Sequence, residues 1–174
     1  IPDELRDDPS ARVFHLKFDV EIQSTDGKAH QNVVYRLDGP TGLPTEGAWF
    51  AYKVSSSWGG LGLRDVAAAQ RFANGVKAKI ISGLKIADDN ADVVWSGHPL
   101  VFLGVDAQYF ASMLIPEKAD EEEIWFARAM PIRVGAVPAD KKLKKTTSVS
   151  TRATSEPFVV DAQRPLLHKF EIFN

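Results

Sequence analysis

The sequence predicts a mainly β protein, an antiparallel sandwich with about one helix, and three observations point there. From Val13 to Ile22, the residues Phe14, Leu16, Phe18, Val20 and Ile22 alternate with His15, Lys17, Asp19 and Glu21. Period 2 over that length is a half-buried strand with one wet face. Roughly nine alternating or apolar runs follow one another through short, turn-rich connections. A single segment has helical spacing, and 44% hydrophobic with 25% charged residues is an ordinary globular balance.

The elements follow in chain order. Residues 1–10 (IPDELRDDPS) carry four acids and two prolines and read as an extended, solvated lead-in; residues 11–174 read as one domain. The first strand ends at Ser24-Thr25-Asp26-Gly27, where Asp-Gly is a hairpin signal leading into a second strand through Asn32–Leu37. Gly39, Pro40, Gly42 and Pro44 make a loop, Ala48–Val54 (AWFAYKV) an aromatic strand, and Ser55–Gly62 (SSSWGGLG) a flexible connection. Leu63–Ala73 is the helix candidate, because Leu63, Val66, Ala69 and Phe72 share a helical face and Ala67, Ala68 and Ala69 favour helix.

Strands resume over Val76–Ala87, with a kink at Gly83, then over Leu100–Val105 and Gln108–Ile115. Asp120–Glu123 (DEEE) is a turn before a long strand, Ile124–Val137, in which Pro131 marks an edge or a bulge. Lys141–Lys145 (KKLKK) reads as a turn or hairpin tip, and Thr146–Ala153 and Leu166–Phe173 close the chain. No internal repeat is visible.

Composition excludes several classes of function. There is no cysteine, hence no disulfide, thiolate metal site or thiol nucleophile. A net charge of −2 and a pI near 6.1 argue against a nucleic-acid partner. The most apolar window, Pro99–Val105 (PLVFLGV), is far short of the ~20 residues that cross a bilayer.

The candidate chemistry is sparse. His15, His30, His98 and His168 show no metal-ligand spacing. Gly59-Gly60-Leu61-Gly62 invites a phosphate cradle, but Asp65 stands where a third glycine belongs, so a flexible loop is the simpler reading. The adjacent acids Asp120–Glu123 repel one another and suit a solvated tip better than an acid/base pair. Lys141, Lys142, Lys144 and Lys145 can touch a partner or anionic headgroups, or simply protect a hairpin from edge pairing. Trp58, among serines and glycines, is either a partner or sugar contact or a ring folded onto the core. No catalytic residue, metal or cofactor is assigned. On residues alone the chain is a β-sandwich without a visible active site.

Two strings carry the reading further: Gly104–Pro116 (GVDAQYFASMLIP) and Leu167–Asn174 (LHKFEIFN). Together they resemble the large periplasmic domain of the YidC membrane-protein insertases, in a divergent, non-proteobacterial form. The carrying residues are Tyr109, Phe110, Ala111, Leu114, Ile115 and Pro116, and then Phe170, Ile172, Phe173 and Asn174. The resemblance implies a twisted β-supersandwich of the galactose-mutarotase kind. It also implies an extracytoplasmic domain at the periplasmic face of the bacterial inner membrane, a piece of a larger multi-pass protein.

Such a domain has no chemistry of its own. It would assist insertion and folding of inner-membrane proteins through contacts with accessory subunits of the Sec translocon and with nascent membrane proteins, since exposed sheet edges accept extended partners. The alternative is a carbohydrate-binding or aldose-epimerase-like sandwich. That chemistry needs a His/Glu constellation in a cleft, for which His98 and His168 are the candidates.

Overall fold

The computed structural model describes residues 15–45, 63–89, 93–107 and 110–173. Eleven strands among them form a six-stranded, a three-stranded and a two-stranded sheet, and every strand pair is antiparallel. In order these are β1 His15–Ile22, β2 His30–Val33, β3 Arg36–Asp38, β4 Asp65–Phe72, β5 Gly75–Ile81, β6 Leu100–Ala107, β7 Phe110–Pro116, β8 Phe126–Val134, β9 Ser148–Ser155, β10 Phe158–Val160 and β11 Leu166–Phe173. One short helix, α1 (Gly83–Ala87), follows β5, and a 3-10 helix over Lys141–Thr146 joins β8 to β9. A mainly β sandwich is therefore what the chain forms.

The large sheet has the order β1-β11-β7-β6-β4-β5, and the small one β3-β9-β8 packs across its middle. Between them lies one core, with Val66, Leu103, Val105, Leu114 and Phe170 from the large sheet and Phe126, Ala129, Val149 and Ala153 from the small one. Two irregularities let it close. Between Phe126 and Arg128 the β8–β9 register slips by one residue, so Phe126 and Ala129, of opposite parity, both face inward. Between Ala69 and Gln70 the β4–β6 register slips likewise, turning Leu100 into the core while Phe102 stays on the outer face. Pro131 sits in β8, an outer strand of its sheet, as its missing N–H requires.

Three expectations are corrected. The segment given as a helix, Leu63–Ala73, is strand β4, paired on both sides with β5 and β6. Six consecutive residues, Asp65–Gln70, are buried, so the strand has no wet face and shows no alternation. The three alanines are small enough to be hidden between the larger side chains of β5 and β6 on either side, and tertiary packing overrides their helix propensity.

The Asp26-Gly27 turn does not make a hairpin: β1 pairs with β11 and β2 with β10. The Asp26 carboxylate accepts from the Ser24 hydroxyl at 2.8 Å and the Lys28 N–H at 3.0 Å, and Gly27 has φ +71°. This local turn redirects the chain between sheets. The kink at Gly83 is the start of α1, where a Cβ would meet the Arg64 carbonyl oxygen at 2.2 Å. Strand β10 had no forecast. The lead-in at 1–10, the aromatic strand Ala48–Val54 and the Ser55–Gly62 connection lie outside the described residues.

Candidate functional site

Two places stand out, one on each side of the large sheet. The first is its outer face. Period 2 places Ala67 and Ala69 of β4, Val76, Ala78 and Ile80 of β5, Phe102 of β6, Met113 and Ile115 of β7 and Phe173 of β11 on the side away from the core. Several of these line a shallow depression of 320 Å³, and Ile80 is 52% exposed. Gly104 keeps the floor flat: a Cβ there would meet the Ser112 carbonyl oxygen at 2.1 Å and the Met113 Cα at 2.7 Å. Toward β11 and β1 the face becomes charged, with Lys17 opposite Glu171 and Asp19 opposite Lys169. Large apolar patches rimmed by polar groups mark contact surfaces.

The second place is a cleft of 340 Å³ where β7 ends and β8, β10 and β11 meet, lined among others by Glu117, Glu123, Trp125, Phe158, Leu166 and His168. His168 is buried and lies flat on Trp125, with ring centres 3.9 Å apart and planes 3° from parallel. Phe158 meets the imidazole edge-on at 4.8 Å. Tyr35 is fixed to the end of β9 by two hydrogen bonds with Ser155, and its hydroxyl lies 2.5 Å from His168 Nδ1.

Burial lowers the His168 pKa below its ordinary value, opposed in part by the charge of Glu123, and burial raises that of Tyr35. A neutral imidazole then accepts the tyrosyl O–H at Nδ1 and carries its proton on Nε2. Trp125 Nε1 is buried and finds no hydrogen-bond partner among the described residues. The cleft holds a weak donor, carboxylates and apolar walls, a set able to bind a hydroxylated molecule.

The residues singled out in the sequence are placed as follows. Trp58 lies outside the described residues. Lys141 and Lys142 are exposed, whereas Lys144 and Lys145 are half-buried in the 3-10 helix. Lys144 is ion-paired with Asp88 just past α1, and the Lys145 carbonyl accepts from the Leu63 N–H at 3.2 Å. This segment is thus built into the fold as well as charged. His98 packs on Phe72 with ring centres 4.1 Å apart, in the turn before β6, and belongs to a different place from His168. His168 itself is 3% exposed. Asp65 accepts from the Gly83 N–H at 2.8 Å, a structural bond between β4 and α1. No group of three or more potential metal ligands occurs among the described residues.

The two strings behind the family resemblance fall on adjacent strands. β7 and β11 pair from Phe170↔Pro116 to Phe173↔Met113. No protein-family model matches the chain, and no curated protein sequence matches it.

The outer face is not legible in the sequence, because strands buried on one side and apolar on the other read as plain apolar runs. The available signal was Val76-Lys77-Ala78-Lys79-Ile80, a strict alternation whose apolar half is left about half exposed at Val76 and Ile80 among the described residues.

Proposed function

We propose that the chain is an extracytoplasmic interaction domain of a YidC-like membrane-protein insertase, acting at the periplasmic face of the bacterial inner membrane. It performs no chemistry itself and assists insertion by holding accessory subunits of the Sec translocon and nascent membrane proteins. The observation that supports this reading is the apolar outer face of the six-stranded sheet, centred on Ile80, Phe102 and Met113 and partly exposed among the described residues. Among the described residues no helix is long and apolar enough to cross a membrane, so in this reading the spans belong to other parts of the protein.

The test is the coding sequence on either side, scanned with a hydropathy window of about 19 residues. The reading expects apolar stretches of roughly 20 residues on both sides, several of them downstream. A complete reading frame with no such stretch contradicts it.

A second reading, a carbohydrate-binding or epimerase-like sandwich, is favoured by the cleft that brings His168 together with Glu117 and Glu123. Calorimetric titration with common hexoses tests it. Heat that disappears in a His168→Phe variant supports sugar binding, and absence of heat removes that reading.

A further inference from the structure

The edge of β5 that faces away from β4 adds a partner chemistry to this picture. Gly75–Ile81 is hydrogen-bonded to β4 along one side, from Phe72↔Gly75 to Val66↔Ile81, and among the described residues no strand pairs with its other side. Its first six residues are all exposed. Alternation sends Val76, Ala78 and Ile80 to the apolar outer face and Lys77 and Lys79 to the opposite one. Lys77 rests 4.9 Å above the Phe72 ring, and neither lysine forms a salt bridge among the described residues.

An edge strand presents a row of unpaired N–H and C=O groups, a template for one more strand. Lysines on an edge repel basic strands and discourage purely apolar ones, yet they attract acidic ones. We propose that β5 is a strand-addition site for an extended partner segment in which apolar residues alternate with Asp or Glu. The partner's apolar side chains continue the row of Val76, Ala78 and Ile80, and its carboxylates stand beside Lys77 and Lys79. The proposal rests on the reading of the domain as a protein-interaction module, though not on the insertase family.

The experiment uses the 174-residue chain and three fluorescent eight-residue peptides. One alternates Val or Ile with Glu, one replaces Glu by Lys, and one carries a central proline in the Glu peptide. The Glu peptide is expected to bind and to protect β5 amides from hydrogen exchange, while the Lys and Pro peptides do not. A double variant, Lys77→Glu with Lys79→Glu, should weaken the Glu peptide by roughly tenfold and admit the Lys peptide. Both substitutions lie at exposed positions and leave the core untouched.

Equal binding of the Glu and Lys peptides, no binding of either, or indifference to the charge reversal overturns the proposal. So does protection of β5 through concentration-dependent self-association without peptide, which assigns the edge to a second copy instead. Failure here leaves the proposed function to its own test, because the flanking sequence is read independently of any peptide.

Discussion

Replacing Phe170 by Ala measures how much the face assignment of β11 is worth. Phe170 is 0% exposed and stacks on Phe18 with ring centres 5.0 Å apart, while Trp125 meets it edge-on at 5.6 Å and Phe126 lies at 6.1 Å. Removing a buried phenyl ring that its neighbours cannot refill costs about 3–5 kcal/mol. Against a total of about 5–15 kcal/mol that is a large fraction, and at roughly 2–4 °C per kcal/mol it lowers Tm by about 6–20 °C.

Phe173, three positions on, faces outward and is 43% exposed. Full burial of such a ring is worth about 1.5–3 kcal/mol, so a half-exposed one loses about 1 kcal/mol on becoming Ala. Urea and thermal unfolding of both variants, followed by near-ultraviolet circular dichroism, provide the comparison. Equal losses for Phe170→Ala and Phe173→Ala, or a loss under about 1 kcal/mol for Phe170→Ala, would refute the inward and outward assignment and with it the apolar outer face.

Four further outcomes are expected. Gly104→Ala places a methyl group against backbone atoms of Ser112 and Met113, so it should destabilise by about 1–3 kcal/mol in urea unfolding, whereas Gly97→Ala, in open space but at φ +69°, should show only backbone strain. Asp65→Ala leaves the buried Gly83 N–H without its acceptor and should cost about 1–3 kcal/mol, read as a shifted urea midpoint with unchanged m.

The pH prediction concerns His168, whose pKa is held below 6.5 in the fold, so the unfolded chain takes up its proton first as pH falls. Stability from this group is complete above about 6.5 and declines below it, and a His168→Phe variant should lose that decline between pH 7.5 and 5.5. Asp26 acts in a separate window. Hydrogen bonds from His30, Lys28 and Ser24 lower its pKa from 3.8 to about 2, so its contribution is present above 3.8 and lost toward pH 2.

The sequence showed most of the strands that have one wet face. β1 displays its alternation openly, β6 and β7 read as apolar and aromatic runs, and Pro131 marked an outer strand because a ring nitrogen cannot donate to a neighbour. β4 was hidden for the opposite reason. Burial on both faces erases period 2, and Leu63, Val66, Ala69 and Phe72 then imitate a helical stripe; periodicity alone cannot separate a buried strand from a helix. The Asp-Gly turn was visible, but which strand follows it into the same sheet depends on apolar surfaces more than a hundred residues away, as the β1–β11 pairing shows.

The site was less legible than the fold. His168 could be named as a candidate, but its partner Tyr35 comes from a segment 133 residues earlier. Nothing local to Lys144 announced that Asp88 would neutralise it. The outer face is assembled from five strands, and only the sheet order shows that their apolar sides lie together.

Site-specific photo-crosslinking from the outer face tests the central claim most directly. A photoreactive residue is placed at Phe102, and in parallel at Arg128, which is exposed on the small sheet. If the proposed function holds, irradiation of cells making the full-length protein should give protein adducts from Phe102 and not from Arg128. Equal labelling from both positions, or none from Phe102, would contradict the assignment of this face to protein contacts.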